Sequence, residues 1–448
     1  MKLWDKGIAT NSLVENFTVG RDRELDVNLA QADILGTLAH IEMLESIGLL
    51  TKIELSALQK ELIRIYHNIK TDGFIIEDGI EDVHSQIELM LTRKLADIGK
   101  KVHSGRSRND QVLVDVKIYA RQQLIEIVSE VKELFDTLIY LSEMHKKKLM
   151  PGYTHLQVAM PSSFGLWFGA YAESLANDML MLKAAYKITN QNPLGSAAGY
   201  GSSFPLNRTL TTELLGFENM NYNVIYAQMG RGKTEKSIAF SLSSIGATLA
   251  KMAMDACLFM NQNFSFISFP DELTTGSSIM PHKKNPDVFE IIRAKGNRLQ
   301  ALPNEIAMMI TNLPSGYHRD LQLLKECLFP AFEDIKACLF MTGMMLKNIQ
   351  IKNDILNDEK YLYIFSVEEL NKEVLKNGTP FRDAYKKIAL DIKNGTFHPD
   401  KEVKHTHEGS IGNLCNEQIA NKMNSFMNDF HFLKVETAIE KLLKPNNQ

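Results

Sequence analysis

Three polar stretches of the chain carry residue types and spacings suited to chemistry. The first is GSSIMPHKKNP, residues 276–286, which sets Ser277 and Ser278 behind Gly276 and places Lys283 and Lys284 just before Asn285 and Pro286. Lysines there can hold anionic charge. A helix starting at Pro286 and capped by Asn285 would turn its N-terminal amides toward the same charge. Asp287 and Glu290 fall in the first turns of that helix. Such a loop reads either as a basic surface loop or as one that closes over an anionic substrate. The second stretch is HSGRSRNDQV, residues 103–112, with Arg106, Arg108 and Asn109 ahead of a helix. Donors at a helix N-terminus suit a carboxylate or phosphate, and they equally suit a plain capped start with Asn109 or Asp110 as the cap. The third is GYTHLQ, residues 152–157, with Thr154 and His155. A histidine there is a candidate general acid or base near neutral pH, or else a satisfied structural histidine.

Other polar stretches promise less. His405-Thr406-His407 has no cysteine or carboxylate cluster to make a metal site, so no metal is expected. NPLGSAAGYGSS (192–203) is neither a GxGxxG nor a Walker loop, and a turn between long helices accounts for it. The chain has no GxSxG for a hydrolase serine.

Long helices must position these stretches. Between Gln111 and Met150 there is no Gly or Pro, and apolar residues recur at helical spacing from Val112 to Leu141. A helix over that whole span would be about 60 Å long, and only a bundle or an oligomer buries so long an apolar stripe. A second long helix is expected over 233–261 and a third from Pro286, with ordinary helices over 23–47, 52–69 and 83–98. Strand signals are scarce. The expected fold is all-α with three helical domains: 1–106, a central long-helix bundle over 107–355, and 356–448.

Composition excludes several classes. The 448 residues are 44% hydrophobic, and 50 basic against 54 acidic residues leave a net charge of −4, without the basic excess that marks nucleic-acid binders. Cys257, Cys327, Cys338 and Cys415 show no CxxC spacing. The N-terminus lacks a secretory apolar run, and no stretch approaches the roughly 18 uninterrupted apolar residues of a membrane span. A cytoplasmic chain with reduced thiols and no membrane partner is expected.

Taken together, the polar stretches resemble the fumarase/aspartase superfamily. GSSIMPHKKNP is similar to its signature Gly-Ser-Ser-x-x-Met-Pro-x-Lys-x-Asn, with one residue fewer before Met. Within the superfamily, HSGRSRNDQV, GYTHLQ, EDVHSQIE (81–88), LPSGYHRDLQLLKE (313–326) and NGTPFRDAY (377–385) resemble the argininosuccinate lyase family. The matches run in order from about residue 26 to about 390.

The resemblance implies a homotetramer whose long helices form a twenty-helix core, with active sites shared between subunits. It implies reversible cleavage of argininosuccinate to arginine and fumarate in arginine biosynthesis, without a cofactor. Removing a proton beside a carboxylate spreads charge onto that carboxylate, and stabilising this charge is the main demand. By the resemblance Ser277 is the base, Lys283 and Asn285 stabilise the developing charge, and His155 paired with Glu290 is the acid for the guanidine leaving group. Arg108, Asn109 and Thr154 would hold substrate carboxylates. Tyr317, Gln322 and Lys325 would hold the other end, with Asp82 and Asp26 near the arginine moiety and Arg231 kept from a family segment.

The chain departs from the family pattern at three places. Trp4-Asp5-Lys6-Gly7 stands where the family has Trp-Gly-Gly-Arg-Phe, Asp22 replaces a serine that touches substrate, and YAQMGRG (226–232) keeps only Ala227 and Arg231 of its segment. The substituted 226–232 segment leaves an N-acylated argininosuccinate open as substrate. Adenylosuccinate or aspartate would make the chain a sister eliminase, and a non-catalytic, crystallin-like structural protein is the reading of another class.

Overall fold

The computed structural model describes residues 11–444, so the Trp4–Gly7 departure lies outside the described residues. Five long helices form the bundle: Arg108–Met144, Phe164–Thr189, Lys233–Met260, Asp287–Met309 and Leu324–Lys347. The strands are few and short, paired two by two, as the all-α expectation requires.

Helix Arg108–Met144 has 37 residues, about 55 Å of axis. Its N-cap is Ser107, whose backbone is extended, and Asp110 sits three residues on as the second half of a capping box. This corrects the expected cap at Asn109 or Asp110. Asp110 Oδ1 accepts the Ser107 N–H at 2.8 Å, while its Oδ2 accepts the N–H groups of Gly195 and Ala197 at 3.1 and 2.9 Å. One carboxylate therefore caps the helix and holds the glycine-rich loop. The next turns bury charge that is hydrogen-bonded. Lys117 Nζ donates to Gln191 O at 3.0 Å, and Arg121 donates to Asn190 Oδ1 and Leu215 O at 3.0 and 2.9 Å. Farther on the stripe is apolar, with Leu124, Ile127, Val131, Phe135 and Leu138 all buried.

The helix ends at Met144, short of the expected residue 150, because Pro151 and Gly152 enter a strand. Leu149–Thr154 pairs antiparallel with Gln157–Ser163. Sequence reading did not foresee helix Phe164–Thr189. Its first turns hold Gly165 and Gly169, which look like breakers. They are there for packing, since a Cβ on Gly165 would lie 2.7 Å from Lys146 Cα.

Helix Lys233–Met260 lies where it was expected and packs closely on helix Asp287–Met309. The two cross backbone to backbone, for a Cβ on Gly296 would stand 2.5 Å from Gly246 O. By length and composition alone helix Lys233–Met260 is apolar enough to span a membrane, yet most of its apolar window is buried in the bundle. The third helix begins at Asp287 with Pro286 as N-cap, and Asn285 instead ends a short strand, a one-residue correction to the expected start.

Around the bundle, Ala30–Ser46, Lys52–Asp72 and Val83–Leu95 build the N-terminal part. Helices Ser366–Asn377 and Phe381–Asn394 pack together in the C-terminal part. Helix Asn416–Met427 returns to pack on helix Phe164–Thr189.

Substituting Gly296→Ala forces the helices apart against backbone. We expect a loss of about 1–3 kcal/mol, read from urea unfolding, whereas Gly343→Ala, where an added Cβ meets nothing within 4 Å, should cost no stability.

Candidate active site

Eight of the ten expected substrate-binding residues line one pocket: Asp26, Asp82, Arg108, Asn109, Arg231, Tyr317, Gln322 and Lys325. They arrive from five places in the chain. Asp22 and Asp26 share a short helix, Glu81 and Asp82 precede helix Val83–Leu95, and Arg108 and Asn109 open the longest helix. Arg231 stands at the head of helix Lys233–Met260, and Tyr317 to Lys325 lead into helix Leu324–Lys347.

Ion pairs preorganise this pocket. Lys325 is buried between Asp26 and Asp22, with its Nζ 2.7 Å from Asp22 Oδ1. Arg108 Nη1 lies 3.1 Å from Asp82 Oδ2, and its Nη2 donates to Ser85 Oγ at 2.6 Å. Burial alone would raise Asp82, but the positive charges of His84 and Arg108 and the Ser85 hydrogen bonds bring it below the usual carboxylate range. Asp22 behaves oppositely. Burial pushes it up to about 6, with the nearby Asp26 adding to the rise and Lys325 opposing it.

Two of the eight are partly committed elsewhere. Gln322 Nε2 donates to the carbonyls of Thr18 and Val19 at 3.1 and 3.0 Å. Arg231 Nε pairs with Glu235 at 2.5 Å and its Nη2 donates to Leu321 O at 3.0 Å, so this arginine braces the pocket wall. The altered 226–232 segment also braces. Gln228 is buried and donates to Ser196 Oγ and Ala197 O at 3.1 and 3.2 Å. Of that segment only Arg231 reaches the pocket.

His84 lies at the pocket floor, and sequence reading missed it as a site residue. Its Nδ1 meets Asp33 Oδ2 at 2.5 Å and lies 3.3 Å from Asp115 Oδ2, all three groups being buried. Burial works against the charged ring, but the Asp33 hydrogen bond and charge outweigh it and raise His84. Burial and the Asp33 charge push Asp115 well above the usual range, so it keeps its proton beside the ionised Asp33. The EDVH sequence was the available signal, but its partners come from helices more than 30 residues away on either side, a contact no local pattern shows.

The residues expected to react lie elsewhere. Thr275–Gly276 pairs with Lys284–Asn285, which makes the 276–286 stretch a small hairpin loop. Asn285 Nδ2 donates to Gly276 O at 3.2 Å, and Lys284 pairs with Asp271. Ser277 Oγ accepts the N–H groups of Ile279 and Met280 at 3.3 and 3.1 Å. Two amides aimed at one oxygen favour negative charge there. Lys283, Asn285 and Glu290 line a second depression beside this loop. Thr154 and His155 are exposed at the tip of the 149–163 hairpin, away from both groups of lining residues. His155 and Leu156 form its two-residue turn with φ of 54° and 59°, a left-handed pair that usually takes Asn-Gly. Within one chain His155 therefore does not meet Glu290, whose ion-pair partner among the described residues is Arg293.

The sign of the Asp22 shift sets a stability test. A carboxyl raised in the fold favours the folded state while protonated, and that contribution is lost as pH rises through about 6. Asp22→Asn should therefore raise stability at pH 7.5 by roughly 1–3 kcal/mol and have little effect at pH 4, as read from thermal melting at both pH values.

Comparison with known proteins gives the chain's family and fold. Residues 6–301 match the family model described as Lyase. The chain is 62% identical to the argininosuccinate lyase of Bacteroides fragilis over 442 residues, which covers 99% of each. Among solved structures it is similar to EDDS lyase in complex with formate, with a TM-score of 0.74 at 20% identity over 97% and 95% of the two chains. It is also similar to the class II fumarase of Schistosoma mansoni, with a TM-score of 0.68 at 14% identity over 86% and 91%. These two likenesses carry the helical fold, and the full-length identity carries the family: the chain belongs to the argininosuccinate lyases of the fumarase/aspartase superfamily.

Proposed function

We propose that this chain cleaves argininosuccinate reversibly to arginine and fumarate, as a step in arginine biosynthesis. The observation that carries the reading is the joint presence of the eight-residue charged pocket and the Ser277–Lys283 loop in a chain of this family. Ser277 Oγ takes a proton from the succinyl carbon beside a carboxylate, and the amides of Ile279 and Met280 support its negative charge. Lys283 and Asn285 face the carboxylate onto which the carbanion charge spreads. The C–N bond then breaks, fumarate's double bond forms, and His155, oriented by Glu290, protonates the leaving guanidine. The chemistry is proton transfer and elimination, and the residues named suffice for it without a cofactor.

The site is completed between copies of the chain. Pocket, loop and hairpin tip occupy three separate places in one chain, and together they make one reaction centre only when different subunits contribute them. The bundle leaves Phe240, Met254, Ile291 and Phe340 exposed, with Phe340 68% exposed, as a helical surface that other subunits would cover. Leu156, at the strained hairpin tip, is 82% exposed. We read the assembly as a homotetramer. Its free thiols accord with a reducing, cytoplasmic compartment. Ser277, Lys283 and His155 are all present, which favours an enzyme over a crystallin-like structural relative.

Purified protein should release fumarate, followed by its ultraviolet absorbance, from argininosuccinate but not from adenylosuccinate or aspartate. Fumarate from one of the others alone would move the chain to a sister activity. Ser277→Ala should lower kcat at least about 100-fold while light scattering still gives a tetramer; unchanged turnover would remove the serine from the mechanism. Co-refolded mixtures of His155→Asn and Arg108→Ala chains should regain activity that neither parent has. Mixtures as inactive as the parents would put all the groups in one subunit.

A further inference from the structure

Behind the wall of the charged pocket lies a second cavity of about 150 Å³, roughly five times the volume share of one water. Gln228, Arg231, Lys233 and His318 line it, and among its described lining residues there is no carboxylate. Arg231 also lines the charged pocket, so its guanidinium is a partition between the two. The side chain is only 5% exposed. Its Nε is held by Glu235 and its Nη2 donates to Leu321 O, but Nη1 has no partner among the described residues. A charged donor buried without an acceptor is costly. Glu235 has no oxygen to spare, since its Oε2 accepts the Gly232 N–H at 2.6 Å. The charged pocket carries Asp22, Asp26, Glu81 and Asp82 on its lining, so the acid-free cavity is the better host for a free anion.

The rest of the lining points the same way. Lys233 enters no ion pair among the described residues, and its Nζ lies 5.9 Å from the Tyr226 ring centre. Helix Lys233–Met260 starts at this lysine and adds the positive end of its dipole. Gln228 supplies the opposite kind of group. Its Nε2 is spent on Ser196 and Ala197, and its Oε1 is buried without a donor. Unsatisfied donors together with one unsatisfied acceptor ask for an anion that keeps a hydrogen of its own.

We propose that this cavity is a second, non-catalytic anion site that takes inorganic phosphate, with its charged oxygens on Arg231 Nη1 and Lys233 and its hydroxyl donating to Gln228 Oε1. At neutral pH phosphate retains a hydrogen, whereas sulfate of the same shape has none.

The test is calorimetric titration of the full-length chain with phosphate and with sulfate at fixed ionic strength. Lys233→Met should weaken phosphate binding at this site about 10-fold, Lys233→Arg should keep it, and Lys283→Met, which alters the 276–286 loop instead, should leave it in place. Sulfate should bind at least about 3-fold more weakly than phosphate. In phosphate-free buffer Lys233→Met should release fumarate from argininosuccinate within about 3-fold of the unaltered chain. Thermal melting and light scattering check that each variant is folded and assembled. Phosphate binding that is the same in Lys233→Met as in the unaltered chain would overturn the proposal. Loss of all phosphate binding in Lys283→Met would also overturn it, by placing the anion at the loop. Sulfate bound as tightly as phosphate would remove the Gln228 contact and with it the assignment to phosphate. Loss of turnover in Lys233→Met would put Lys233 in the reaction centre and overturn the separate site. Binding is read without turnover, so failure here leaves the lyase reading untouched.

Discussion

The carboxylate of Asp110 is the fixed point of this architecture. It accepts backbone N–H groups from Ser107, Gly195 and Ala197, so one side chain starts the longest helix and ties down the glycine-rich loop. Arg108 and Asn109 stand on the turn it caps and are aimed at the pocket as a result. The glycine-rich loop passes the constraint on, since Gln228 donates to Ser196 and Ala197 and precedes Arg231 on the pocket wall. Buried polar groups then follow the same helix inward through Asp115, Lys117 and Arg121 before the apolar stripe begins. The helix thus organises polar chemistry at one end and carries the packing load along the rest.

Much of this was legible in the chain. A run from Gln111 without Gly or Pro announced the long helix, and the HSGRSRND stretch announced its start. A run rich in Ser, Ala, Met and Leu located helix Lys233–Met260 to within a residue at its C-terminal end. What failed did so for physical reasons. Ser107 took the cap because its extended backbone lets the side chain reach Asn109 N, and Asp110 was freed for three other amides. Helix Phe164–Thr189 was hidden because its glycines serve close packing, a purpose local propensity cannot express.

The candidate site was legible in the same uneven way. Residue type and position named Arg108, the family resemblance named Lys325 and Asp82, and the fold brought them together. The fold does not bring His155 to them within one chain, and the sequence could not show that separation. Nor could it show that His84 is held by acids from two other helices, Asp33 and Asp115. Charge balance was equally invisible: that Lys325 answers two aspartates is a property of two segments some 300 residues apart.

The crossing of Gly246 and Gly296 has a mechanical consequence. Gly296 lies nine residues into helix Asp287–Met309, about 14 Å along its axis. With backbone against backbone there, the crossing is a fulcrum that pins the helix close to its start. The downstream post of the 276–286 loop is thereby a fixed mount. The upstream foot is tied to that mount, since Thr275–Gly276 pairs with Lys284–Asn285 and Asn285 Nδ2 donates to Gly276 O. The anchorage of one helix crossing thus reaches both feet of the loop, and Ser277, the first residue beyond the paired strand, stands one step from it.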